Sequence, residues 1–183
     1  RGAPGEARPP FAISNGGRYT AAPNLPNPVM FPAELREPGA IRRVVQSGSG
    51  LYVATERGLY TGTNPEDMAL DADLARMPDY RPSIADVSVV DAGSNRPAHL
   101  FVAGAGGLYE WNNERHWQRI LPRDGVRSWA VIDVRAVDVN AEGRRWFASP
   151  QGVGIPGGEK YLYNGRDGMP YNDFTCIVAL GNG

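Results

Sequence analysis

An all-β fold of short antiparallel strands is predicted by three features of the chain. One ten-residue phrase recurs three times: LYVATERGLY from Leu51 to Tyr60, LFVAGAGGLY from Leu100 to Tyr109, and RWFASPQGVG from Arg145 to Gly154. Aligned on Gly58, Gly107 and Gly152, the copies lie 49 and 45 residues apart, the period of a propeller blade of four short strands. Gly (23) and Pro (16) are abundant among the 183 residues, which suits many tight turns and argues against a helical bundle. The fold class that follows is a β-propeller fragment of about three four-stranded blades plus the first strand of another, preceded by an extended arm.

Residues 1–40 read as a Pro-rich arm. Pro23, Pro26, Pro28, Pro32 and Pro38 deny it a continuous helix or a central strand. Phe11, Tyr19, Met30 and Phe31 are its candidate anchors, and the first few residues are expected to be disordered. The partial propeller spans 41–183. Its blades divide at approximately 41–82, 83–130 and 131–172, and a further blade starts at 173–183.

In the first blade, Ile41–Val45, Leu51–Ala54 and Leu59–Thr61 are strands, with turns at Ser47–Gly50 and Glu56–Gly58. Asn64–Arg76 is the best helical candidate, because Asn64 can cap a helix opened by Pro65, Glu66 and Asp67. The second blade reads Ala85–Val90, His99–Ala103, Leu108–Trp111 and Trp117–Leu121, with turns at Asp91–Asn95 and Gly104–Gly107. The third reads Val134–Val139, Arg145–Ala148, Gly152–Ile155 and Lys160–Tyr163. Thr175–Leu180 opens a fourth, and Gly181-Asn182-Gly183 is a turn. Ile41–Val45, Ala85–Val90, Val134–Val139 and Thr175–Leu180 are the expected innermost strands.

Alternation along a strand puts Tyr52 and Ala54 on one face and Leu51, Val53 and Thr55 on the other. Both faces of a blade pack on neighbours, so both can be apolar. Tyr52, Phe101 and Trp146 are expected in the core, with Phe101 and Trp146 largely buried. Gly58, Gly107 and Gly152 are expected at turn positions that need positive φ.

The repeats resemble the two-component regulator propeller repeats found in sensor regions of bacterial hybrid histidine kinases and in secreted proteins. Asn140–Ser149 carries the Asn-Gly turn and aromatic-aliphatic strand of that pattern. Thr55–Tyr60 carries its T-x-x-G-L-Y half, and Asp167–Phe174 looks like its inter-blade element. The resemblance covers about residues 41–183. It departs at Gly104 and Ser149, where Thr is usual, and at Gly154, where Tyr is usual. It implies a propeller and transfers no catalytic residue.

Composition narrows the function classes. With 19 basic and 20 acidic residues the net charge is −1, so no basic field suggests nucleic acid. No apolar run reaches the length of a transmembrane helix. Arg1 is not an initiator Met and no signal-like stretch follows, so the chain reads as a processed or excised piece. An extracellular or periplasmic setting is expected. The single Cys176 excludes an internal disulfide and is expected as a small buried hydrophobe. His99 and His116 are the only histidines, so neither a metal site nor a cofactor is expected. Gly104–Gly107 lacks the Lys-Ser/Thr of a phosphate loop.

The best-supported functional region is the loop end of the propeller. It holds the inner turns with Glu56, Arg57 and Gln151. It also holds the inter-blade loops with Tyr80, Arg81, Arg127, Trp129, Tyr171, Asn172 and Asp173. Aromatic side chains among Arg, Asp and Asn suit a carbohydrate or a protein ligand. The expected function is an extracytoplasmic binding or sensory module. Its partner is the rest of the propeller, supplied by a continuation, a cleaved piece or another chain. The alternatives are a polysaccharide lyase, with His116 and Tyr171 or Asp173 as acid and base, and an interaction protein without a small ligand.

Overall fold

The computed structural model describes residues 11–14, 18–21, 29–36, 41–47, 50–90, 99–112, 116–122, 131–140, 142–158 and 161–179. They are all-β with little helix. Four antiparallel meanders follow one another along the chain. The first joins β1 (Phe11–Ser14), β2 (Arg18–Ala21) and β3 (Val29–Met30). The segment read as an arm therefore carries short paired strands, each ended before a proline is reached. Of its expected anchors, Phe31 is fully buried; the side chains of Phe11, Tyr19 and Met30 lie outside the described residues.

Sheet I is β4 (Ile41–Ser47), β5 (Gly50–Thr55), β6 (Gly58–Gly62) and β7 (Ala69–Leu70). Sheet II is β8 (Ile84–Val90), β9 (His99–Gly104), β10 (Gly107–Trp111) and β11 (Trp117–Leu121). Sheet III is β12 (Ala136–Val139), β13 (Arg145–Ser149) and β14 (Gly152–Gly154). Each is ordered as the chain runs, and β8 lies beside both β4 and β12. Asp91–Asn95 falls outside the described residues.

The expected helix divides in two. Asn64 precedes a single 3-10 turn, Pro65–Asp67, and α1 spans only Ala72–Ala75, capped by Asp71 Oδ1 on the Leu74 N–H at 2.8 Å. Asp67 ends the first turn by accepting from the Thr63 and Asn64 amides at 3.0 and 2.8 Å. Those bonds, the Asn64 amide foremost, hold its carboxyl below the usual range. Met68 then turns extended and is buried. At the other end, Lys160–Tyr163 gives one bridge, Val153 to Tyr163, rather than a described strand. Residues 175–179 form no ladder among the described residues. Cys176 there is exposed, not buried, because no described strand or sheet covers that side of the segment.

Period-two alternation makes each second strand a two-sided adhesive. Leu51 and Val53 face Phe31, Leu35 and Met68. Ala54, with half-buried Tyr52 against it, faces Val87, Val102 and Tyr109 of sheet II. One sheet on, Leu100 and Val102 face back toward sheet I, while Phe101 and Ala103 face forward to Val137 and Phe147 of sheet III. Trp146 is the exception to its expected burial. It occupies the forward position of Tyr52 and Phe101, but on the last described sheet, and is only half-buried. Its neighbour Phe147 points back and is fully buried.

The departures of the third copy follow from volume. Val53 pairs with Tyr60 and Val102 with Tyr109, whereas Phe147 pairs with Gly154. A Cβ on Gly154 would come within 2.8 Å of the Phe147 ring. The large and small partners have exchanged strands, so the layer keeps its thickness.

The turns behave as the phrase implies. Gly58, Gly107 and Gly152 have φ of 139°, 123° and 145°, where side chains are strained. Thr55 Oγ1 accepts from the Arg57 and Gly58 amides at 3.0 and 3.1 Å and donates to the Gly58 carbonyl at 2.8 Å. Ser149 does the same from Gln151 N–H, at 3.2 Å, to the Gly152 carbonyl at 3.0 Å. Gly104 replaces this hydroxyl because a Cβ there would lie 2.5 Å from the Ser83 carbonyl.

Two half-buried aspartates each tie a sheet to the next segment of the chain. Asp86 on β8 accepts from the Val137 amide of β12 at 3.1 Å. Asp138 on β12 accepts from the Ala179 amide at 2.8 Å. Burial pushes the Asp86 carboxyl up, against the opposing pull of the Val137 amide and Arg43. Its folded pKa therefore exceeds its unfolded one, so the ionisation penalty is present above the folded pKa and vanishes below the unfolded value.

Three outcomes check this account. Phe147→Ala costs about 3–5 kcal/mol in urea denaturation, as for large aromatic deletions in cores, and Trp146→Ala costs clearly less. Asp86→Asn flattens the part of the pH–stability curve in which wild type loses stability as pH rises past the carboxylate range. The buried Tyr109 hydroxyl has no hydrogen-bond partner among the described residues, so Tyr109→Phe leaves the midpoint unchanged or raises it.

Candidate functional site

A row of polar side chains crosses the face of sheet II that looks toward sheet III. Glu110 is its centre. It sits in β10 between Tyr109 and Trp111, which face sheet I, so alternation turns Glu110 toward sheet III. Only 5% of it is exposed. Gln118, directly opposite on β11, donates to Oε2 at 2.8 Å. His99 Nδ1, at the start of β9, lies 3.0 Å from Oε1. Arg145, the first residue of β13 in sheet III, donates to Oε2 at 3.0 Å.

The guanidinium of Arg145 also lies 5.6 Å from the Phe101 ring centroid. His99 stacks on the same ring at 6.2 Å and 8°. A carboxylate thus buried is tolerated because charged and polar donors surround it. Its reward is rigidity: Arg145 is held by an ion pair and an aromatic face at once.

This network forms the wall of a cleft of about 490 Å³. Gln118 and Arg145 supply donors, Ile120 and Leu121 an apolar wall, and Pro156–Gly158 with Tyr161 the facing rim. Arg119 borders the cleft but stands opposite Tyr109 and turns its guanidinium to Asp79. The Tyr161 ring is 36% exposed and packs on Phe147 at 6.0 Å with the rings tilted by 49°. Burial raises its phenol pKa, opposed by a hydrogen bond from the Val131 backbone, so the hydroxyl stays protonated at neutral pH.

The residues expected at the loop end fall into separate groups. Arg42 joins Glu56 at 2.6 Å to Ser83 Oγ at 3.2 Å. Arg135 joins Asp133 and Asp173. Ala105 N–H donates to the Ser83 carbonyl and Asp133 N–H to the Ala105 carbonyl, so these groups share one end of the sheets. Arg57 and Arg81 are exposed and Gln151 is half-buried.

Tyr80 is a packing residue as much as a surface one. It meets Tyr109 edge-on at 6.0 Å. Its pKa is pushed up to about 12, by burial first and by Tyr109 and Asp71 after it. Tyr171 is 74% exposed, and Asn172 accepts from the Gly165 amide at 2.6 Å; neither lines the Glu110 cleft. Arg127 and Trp129 lie outside the described residues. His116 sits at the far end of β10 from the turn at Gly104–Gly107, whereas Asp173 belongs to the turn end. The structure does not unite them as an acid–base pair.

Sequence reasoning missed Glu110, Gln118 and Arg145. One signal was available. Glu110 is a lone acid inside an apolar strand whose counterpart in sheet I is Thr61. Among the described residues no group of three or more His, Cys, Asp or Glu could hold a metal ion, and no helix is long and apolar enough to cross a membrane. Searches of protein-family models, curated proteins and solved structures found no match for this chain.

Glu110→Gln removes the charge that holds Arg145 while keeping the shape. It is expected to cost about 1.5–3 kcal/mol, the scale of a hydrogen bond to a charged group, read as a lowered denaturation midpoint.

Proposed function

We propose that the chain is an extracytoplasmic binding module on a β-propeller scaffold, and that it takes a saccharide in the cleft between sheets II and III. The observation that carries this reading is the cleft itself. Arg145 is locked against Glu110 and Phe101, Gln118 stands beside it, and the Tyr161 ring faces them. Fixed donors opposite an exposed aromatic face suit a sugar ring, whose hydroxyls need hydrogen bonds and whose C–H face packs on aromatic carbon. Prior fixation of Arg145 lowers the ordering cost of binding.

The propeller reading is supported by the order of the meanders, by apolar residues on both faces of each sheet and by the adjacency of β4, β8 and β12. On this reading a further blade covers the forward face of sheet III and leaves Trp146 buried. The contacts of residues 173–179 support it. Phe174 N–H donates to Ser149 O as Val134 N–H donates to Gly104 O, so the segment starts as β12 does.

Binding is favoured over lyase chemistry by the state of the cleft's acids and bases. Both Glu110 oxygens are engaged, which makes it a poor base, and Tyr161 stays protonated. Titration calorimetry against neutral and uronic-acid oligosaccharides tests the reading. Arg145→Gln is expected to weaken binding of the responding oligosaccharide by about tenfold or more, the scale of one charge-assisted hydrogen bond, whereas Arg119→Gln, whose guanidinium is turned to Asp79, is expected to leave it unchanged. Unchanged affinity in Arg145→Gln, or substrate cleavage with an unsaturated product, would overturn it.

A further inference from the structure

At the loop end the three hairpin turns are built alike but differ in bulk. Sheet I carries Glu56-Arg57 and sheet III Pro150-Gln151, whereas sheet II carries Ala105-Gly106. The smallness is enforced from below. A Cβ on Gly106 would overlap the buried Tyr109 hydroxyl, and one on Gly104 would press on the Ser83 carbonyl. The result is a notch of about 320 Å³ beside Asp79, Tyr80, Arg81 and Ile132. It is separate from the Glu110 cleft and shares no lining residue with it.

The charges around the notch are uneven. Asp79, held at φ 57°, pairs with Arg119 at 3.4 Å. Glu56 pairs with Arg42, and Asp133 with Arg135. Arg81 is exposed and has no ion-pair partner among the described residues. Among the described residues, a guanidinium without an ion-pair partner beside a neutralised carboxylate suits a monoanion, and its planar fork matches a carboxylate. A dianion would meet the repulsion of Asp79.

We propose that this notch is a second recognition site, which binds the carboxylate of a small acid or of an acidic side chain through Arg81 over the Ala105-Gly106 turn. The proposal does not depend on the cleft reading.

The test is an NMR titration of the full chain with D-glucuronate and with N-acetyl-glutamate amide, each against its neutral analogue, D-glucose and N-acetyl-glutamine amide. The expected result is that an acid shifts the Ala105 and Gly106 amides and the Arg81 side-chain resonance, that its neutral analogue does not, and that added salt weakens the effect. Whichever acid acts identifies the source of the carboxylate. Arg81→Gln abolishes the shifts with the fold intact, since Arg81 is exposed. The double variant Gly106→Ala with Tyr109→Phe, which fills the notch without the hydroxyl clash, also abolishes them. Glu110→Gln leaves them unchanged. Equal response to acid and neutral analogue, persistence in Arg81→Gln, or no response to either acid overturns the proposal.

Discussion

Two-sided burial of the second strand in sheets I and II is the constraint on which the rest of the structure depends. In β5 and β9 consecutive side chains leave in opposite directions and both directions meet another layer, and β13 packs its backward side on sheet II in the same way. Val53, Val102 and Phe147 all look back and are all fully buried. A one-residue slip would exchange the two faces along a whole strand. The register is thus pinned twice, once by each neighbour. This explains why an aromatic ring in β13 required a glycine in β14, and why Trp146, one residue away, is the side chain that the last described sheet leaves half-covered.

Stacking sheets in this way brings their first strands together, edge by edge. Strand edges carry backbone amides that need partners. Asp86 and Asp138 answer that need by reaching from one sheet to an amide of the following segment. At the ends of the strands, the hydroxyls of Thr55 and Ser149 and the positive-φ glycines close the hairpins tightly. The loop end is consequently a rigid platform, on which Arg42 and Arg135 bridge between segments. Small differences between the three turns then become shape, as the notch over Gly106 illustrates.

Glu110 breaks the apolar logic of the stack more deeply than Asp86 does, since it is buried. An acid on a face that packs against another sheet must be matched by donors from both sheets. Gln118 and His99 come from its own sheet and Arg145 from the next. The joint between sheets II and III therefore opens beside this network into a polar cleft, where the joint between sheets I and II stays apolar, built on Val87, Val102 and Tyr109. The groups proposed to bind are the same ones that hold this joint together.

The sequence by itself determined the local grammar. Strand alternation, the turn glycines and the repeating phrase are short-range properties, and β8 to β11 follow them almost residue for residue. The two faces of β5 were legible for the same reason. The positions that needed knowledge of a neighbour were not. Trp146 and Cys176 look apolar in the string, but burial depends on whether another layer lies across them. Asn64 signals a helix start, yet Asp67 consumes the signal within one turn.

The loop-end residues were legible as a group, because turns reveal themselves by composition. Their division into Arg42–Glu56, Arg135–Asp173 and the notch beside Arg81 was not. The Glu110 cleft draws on residues 99, 110, 118 and 145, which share no motif. Only the packing of sheet III on sheet II made them neighbours, because a buried charge selects partners by distance in space, and spacing along the chain does not record that distance.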